Sequence, residues 1–248
     1  MIPGLAGKVA LVTGASRGVG ASTARQLSES GADVVINFRS KAPRAEEVAE
    51  AVRGFGRRAM LAQADLTSED ETRRMMTLVR EEFGHLDILV LNASGGMEKD
   101  KPADYARELN VTAQTRAVDL ALPLMPAGGR VVFVTSHLAH FHGQAPSLPG
   151  YELVASSKRA GEDALRDRIP ELSERQIDLV VVSGDMIDGT ITARLLDRIQ
   201  PGLIEARRAT VGALPTIDEF AAAIVAAAAD RNTPTGTTIY VGETGHSG

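Results

Sequence analysis

The chain has 248 residues, 44% apolar and 24% charged, enough to bury one sizeable core and with nothing that demands a second. Its formal charge of −5, and the lack of any Lys/Arg cluster interleaved with aromatics, argue against nucleic acid or an anionic membrane as partner. With no cysteine, disulfides and thiolate metal sites are excluded, and no secretory signal or run approaching ~18 apolar residues is present, so one cytoplasmic, non-membrane domain over residues 1–248 is expected.

Short apolar runs alternate with longer amphipathic stretches, the pattern of βα units on a parallel sheet. The first strand is expected at 9–13, followed by Thr13-Gly14-Ala15-Ser16-Arg17-Gly18-Val19-Gly20 and a helix over 19–30. Glycines there allow a tight turn and close approach of backbone to a pyrophosphate at a helix N-terminus, where free N–H groups and the dipole favour anions. A second strand at 33–38 precedes a helix at 45–54. A third strand at 58–62 precedes a helix at 68–83, with Ser68 as cap and acids in the first turn. A fourth strand at 86–91 leads to a helix at 105–125, and a fifth at 129–135 to a helix at 152–169 that Pro170 is expected to stop. The sixth strand is placed at 178–182, the last helix at 217–230 and the seventh strand at 238–241. Residues 190–215 have weaker periodicity and suit a lid, and the tail 242–248 is expected to fray.

The spacing T-G-x-x-x-G-x-G resembles that of the short-chain dehydrogenase/reductase family. The resemblance continues in order through Asp65-Leu66, Asn92-Ala93-Ser94-Gly95, Asn110, Ser136 and Lys158. It implies an α/β fold, a Rossmann-type doubly wound three-layer sandwich with a seven-stranded parallel sheet. It also implies a nicotinamide coenzyme held by Gly14, Ser16, Arg17, Gly18, Val19, Gly20, Phe38, Arg39, Ser40, Asp65, Leu66, Asn92, Ala93, Ser94, Lys158, Gly184 and Met186. Catalysis would fall to Asn110, Ser136 and Lys158, with no metal. A homotetramer or homodimer would pack through the helices around 106–124 and 152–168, where Ala113, Ala117, Ala121, Ala160 and Ala164 allow close approach.

An acid at the end of the second strand would bind a ribose 2′-hydroxyl and repel a 2′-phosphate. Asn37-Phe38-Arg39-Ser40 holds no acid, and Arg39 and Arg17 suit a phosphate dianion, so NADP(H) is the expected coenzyme.

Hydride transfer to a carbonyl leaves an alkoxide that needs a proton. In the family a Tyr four residues before the Lys supplies it, but here that position is Val154. Tyr151, seven residues before Lys158, could substitute if its helix began at Pro149 or Gly150. Ser136, water or a substrate hydroxyl are alternatives, as is a histidine of the run His137, His140, His142. So is a chain that binds NADP(H) without turnover. The three histidines on one loop also raise a metal site, for which no further ligand set is evident. The segment 95–110 is shorter than is usual in the family, and 137–150 longer. The leading expectation is an NADPH-dependent ketoreductase of a bulky aromatic or polyketide-like small-molecule carbonyl substrate. The alternative is an inactive NADP(H)-binding sensor or partner subunit.

Overall fold

The computed structural model describes residues 4–98, 100–144 and 146–244. The expected tail therefore lies outside the described residues beyond Thr244. All seven expected strands form, as β1 (Val9–Val12), β2 (Asp33–Phe38), β3 (Ala59–Gln63), β4 (Ile88–Leu91), β5 (Arg130–Ser136), β6 (Asp178–Gly184) and β7 (Thr238–Val241). They pair in parallel in the order β3-β2-β1-β4-β5-β6-β7.

Each run is apolar at successive positions because each face has its own helical layer. Val9 and Leu11 of β1, Leu89 and Leu91 of β4, and Val131 and Phe133 of β5 join one core. That layer holds α3 (Glu69–Phe83) and α5 (Ala113–Ala121). Ala10, Val12, Ile88, Val90, Val132 and Val134 join the other, under α1 (Gly18–Glu29), α2 (Ala42–Gly54) and α11 (Ile217–Ala229). Side chains alternating across a strand produce this split. Ser68 caps α3 as expected, accepting from the Glu71 amide.

The helix expected over 105–125 is broken. It runs as α4 (Tyr105–Arg107), a wide π turn over Glu108–Thr112, then α5, and it ends in a short 3₁₀ turn. Ala113, Ala117 and Ala121 are buried within the chain, so their small size already serves internal packing. After β5 come α6 (His137–His140) and α7 (Glu152–Arg166). Pro170 does not stop α7, which ends at Arg166. Pro170 instead lies in the first turn of α8 (Ile169–Glu174), where the missing N–H costs nothing. The weakly periodic stretch 190–215 forms two helices, α9 (Ile191–Ile199) and α10 (Leu203–Val211).

Candidate active site

Strand order reverses between β1 and β4, which opens a crevice beyond their C-terminal ends. Thr13 and Asn92 tie its two sides together. The Asn92 and Ala93 amides donate to Thr13 Oγ1 at 2.9 and 3.0 Å, and Asn92 Nδ2 donates to the Thr13 carbonyl at 2.9 Å. Gly14 turns the chain at φ +65°, and a Cβ on Gly20 would meet Asn92 Nδ2 and the Gly14 carbonyl at 2.6 Å. The turn therefore needs glycine at both positions. Helix α1 starts at Gly18 with no capping side chain and no acid in its first turn. Its first amides are left for an anion, and the residues present fit a dinucleotide pyrophosphate.

At the outer end, buried Phe38 ends β2, while Arg39 and Ser40 are exposed, as is Arg17. Asp65 accepts from the amide and hydroxyl of Thr67 beside buried Leu66. Asn37, not among the expected coenzyme residues, is buried, and its Oδ1 accepts from the Gly14 amide at 3.1 Å. A polar residue inside an otherwise apolar strand run was the available signal.

The reaction end is a cavity of about 400 Å³ reached by Ser136, Tyr151, Lys158, Asn92, Ser94, Val19, Gly184 and Met186. Leu138, Leu148, Leu196, Leu203 and Phe220 give it apolar walls, α9 and α10 supplying Leu196 and Leu203. Tyr151 Oη lies 3.1 Å from Ser136 Oγ. No early helix start brings them together. Helix α7 begins at Glu152, and Tyr151 is its N-cap residue, with its carbonyl accepting from Ala155. Burial pushes the Tyr151 phenol up, partly offset by the Ser136 hydrogen bond, so the O–H is retained at neutral pH. Burial pulls Lys158 down to about 8, opposed by the Glu162 carboxylate one turn along.

Val154 is buried in an apolar cluster with Ala139, Tyr151 and Leu196 and does not reach the cavity. Asn110 also lies behind the cavity wall, within the π turn. Its Nδ2 donates to the Gly95 carbonyl and to Ser157 Oγ, each at 2.9 Å. The Asn110 carbonyl meets Gly161 of α7, where a Cβ would sit 2.0 Å from it.

The three histidines diverge. His137 reaches the cavity with Nδ1 2.8 Å from Ser183 Oγ, and burial pulls it down to about 4. His140 bridges buried Glu162 and Tyr240 at 2.9 Å each. Among the described residues no cluster of three His, Cys, Asp or Glu could hold a metal.

Such a site can place a carbonyl oxygen against two hydroxyls, beside a lysine and an anion-binding turn. The family model described as short chain dehydrogenase matches residues 8–199. The hydroxynaphthalene reductase-like protein of Metarhizium guizhouense is 36% identical over 187 residues, 72% of this chain and 68% of that one. A Burkholderia cenocepacia short chain dehydrogenase solved with NADP superposes with a TM-score of 0.82 at 31% identity, covering 96% of this chain and 97% of that one. An angucycline C-6 ketoreductase with bound NADP gives 0.79 at 30% identity, covering 98% and 97%.

Proposed function

Because the chain belongs to the short-chain dehydrogenase/reductase family, we propose that it is an NADPH-dependent ketoreductase of fused-ring aromatic or polyketide-like ketones, with Tyr151 as proton donor. The observation that carries this reading is the 3.1 Å contact of Tyr151 Oη with Ser136 Oγ in a cavity that Lys158 also lines.

Bound NADPH would supply the hydride. Ser136 donates a hydrogen bond to the carbonyl oxygen, and Tyr151 gives its phenolic proton to the same oxygen as negative charge develops there. Lys158 orients the coenzyme ribose and, while charged, eases loss of the phenolic proton. Gly14, Ser16, Gly18, Val19, Gly20, Asn92, Ala93 and Ser94 hold the pyrophosphate and its flanking riboses. Asp65 and Leu66 hold the adenine, and Gly184 and Met186 the nicotinamide side. Phe38, Arg39, Ser40 and Arg17 receive the 2′-phosphate end, and the strand end itself carries no acid. Asn110 acts one step back, by fixing Gly95 and α7. His137, held near 4, carries no proton to give at neutral pH beyond its ring N–H, which makes it the weaker candidate donor.

The substrate class is supported by the leucine-lined walls, which suit a flat apolar ring system, and by the relatives' names. The test is NADPH oxidation against hydroxyaryl ketones, quinones and β-ketoacyl thioesters, with products identified. Alcohol formation from a fused-ring ketone is expected, with NADH a poor substitute. Tight NADPH binding with background turnover throughout would contradict the reading and favour a non-catalytic coenzyme-binding protein. Turnover confined to C=C bonds, with the carbonyl retained, would also contradict it.

A further inference from the structure

Tyr105 opens α4 and is buried against the core that holds Leu66 and Leu109. A phenylalanine would satisfy that packing, so the hydroxyl asks for its own explanation. Tyr105 Oη accepts from Arg39 Nη1 at 2.5 Å, across 66 positions of sequence. Lys101 Nζ stands 4.7 Å from the centre of the same ring. Two cations from distant parts of the chain are thus gathered on one side chain, one at its oxygen and one at its face. Both carry N–H donors that the Tyr105 contact does not use up, and such donors suit the oxygens of a phosphate.

Arg39 immediately follows β2, the strand end from which an adenosine ribose is reached in this topology. Its backbone carbonyl accepts from Gln63 Nε2 at 3.1 Å, so both ends of the residue are tethered while its body stays exposed. One N–H of the guanidinium is committed to Tyr105, which sets the plane of the fork and leaves its other donors for a ligand. Two carboxylates, Asp65 and Glu98, also act on the Tyr105 hydroxyl; Asp65 Oδ1 accepts from the amide and hydroxyl of Thr67 and Glu98 Oε2 from the Gly96 amide, so the cluster is of mixed charge.

We infer that Tyr105 is a positioning residue for coenzyme choice, holding Arg39 and Lys101 as a composite cation site in which Lys101 contacts the ribose 2′-phosphate. The inference rests on the reading that the coenzyme is NADP(H), and it adds a contribution from the segment before α4 to a site expected only from the glycine turn and the end of β2.

The experiment measures dissociation constants for NADPH and NADH by coenzyme fluorescence in wild type, Tyr105→Phe, Arg39→Ala, the double variant and Lys101→Ala. Tyr105→Phe keeps the ring and the Lys101 contact and removes only the hydroxyl. It should weaken NADPH by about 5-fold, the scale of one ordinary net hydrogen bond, and leave NADH within about 2-fold. Arg39→Ala should cost more, and the double variant should bind no worse than Arg39→Ala, because the hydroxyl acts through the guanidinium. Lys101→Ala should weaken NADPH alone, by about 3- to 10-fold, and reduce its sensitivity to salt. Equal loss of both coenzymes in Tyr105→Phe, or additive losses in the double variant, would overturn the inference. A wild-type preference for NADPH that is undiminished in both Tyr105→Phe and Lys101→Ala overturns it alone. A wild type without that preference removes the NADP(H) reading and this inference together.

Discussion

At position 154 the side chain packs under the loop that carries Gly96. Gly96 has φ +121°, and a Cβ there would already stand 2.7 Å from Ala106 Cβ and 3.1 Å from Val154 Cγ2. Val154 is buried among Ala139, Tyr151 and Leu196, whereas Tyr151 reaches Ser136 from the N-cap. Val154→Tyr should therefore not raise reductase activity and should overpack the cluster by about 1–3 kcal/mol, lowering Tm by several degrees. Thermal melts and turnover of the purified variant check this. A stable Val154→Tyr protein that outpaces the wild type would show that position 154 remains the natural donor site. The mismatch at Val154 was visible in the sequence. The approach of Tyr151 to Ser136 was only half visible, because counting turns between Tyr151 and Lys158 assumes that both lie within the helix. A residue at the N-cap is freed from that face, and its side chain is aimed by φ −111° and ψ −5° rather than by helical periodicity.

Among the elements, the strands were legible from their apolar runs, since burial on both faces leaves a short and unmistakable signal. The break in the helix expected at 105–125 was not, because its cause lies in a different part of the chain. Helix α7 approaches the π turn so closely that only hydrogen fits at Gly161, and Asn110 and Ser157 bond across the same contact. An interior glycine in a helix lowers confidence in the helix when read alone, yet here it sets the distance between two elements that carry the site. Gly161→Ala would bring a methyl to 2.0 Å from the Asn110 carbonyl. It should cost at least about 3 kcal/mol in denaturant unfolding and impair turnover with it, as overpacking between backbones cannot relax by a side-chain rotation. An unchanged unfolding midpoint would show that α7 can move away freely.

Across the whole molecule, the two edges of the sheet divide the work. At the N-terminal edge, Lys8 donates to Asp87 at 2.9 Å. Fully buried Arg130 joins Asp178 to the carbonyls of Ala227, Asp230 and Thr233. At the C-terminal edge lie the glycine turn, the cavity and its two covering helices. Among the described residues no helix is long and apolar enough to cross a membrane. His137 sits at that working edge, faced by Asp185, Arg207 and His140, and burial holds it near 4 against an ordinary 6.5. Between those values the unfolded chain binds the extra proton, so stability rises with pH through that window and is lost as pH falls through it. Wild type should be less stable at pH 5 than at pH 7.5 by about 2 kcal/mol from this group, and His137→Gln should remove that part of the difference. Identical pH slopes for the two proteins would contradict it. The proton donor is tested by single-turnover reduction of a ketone substrate by Tyr151→Phe, with NADPH binding titrated alongside. If Tyr151 gives the proton, the rate falls at least about 100-fold with the dissociation constant for NADPH unchanged. A Tyr151→Phe enzyme that reduces its substrate at the wild-type rate would contradict it.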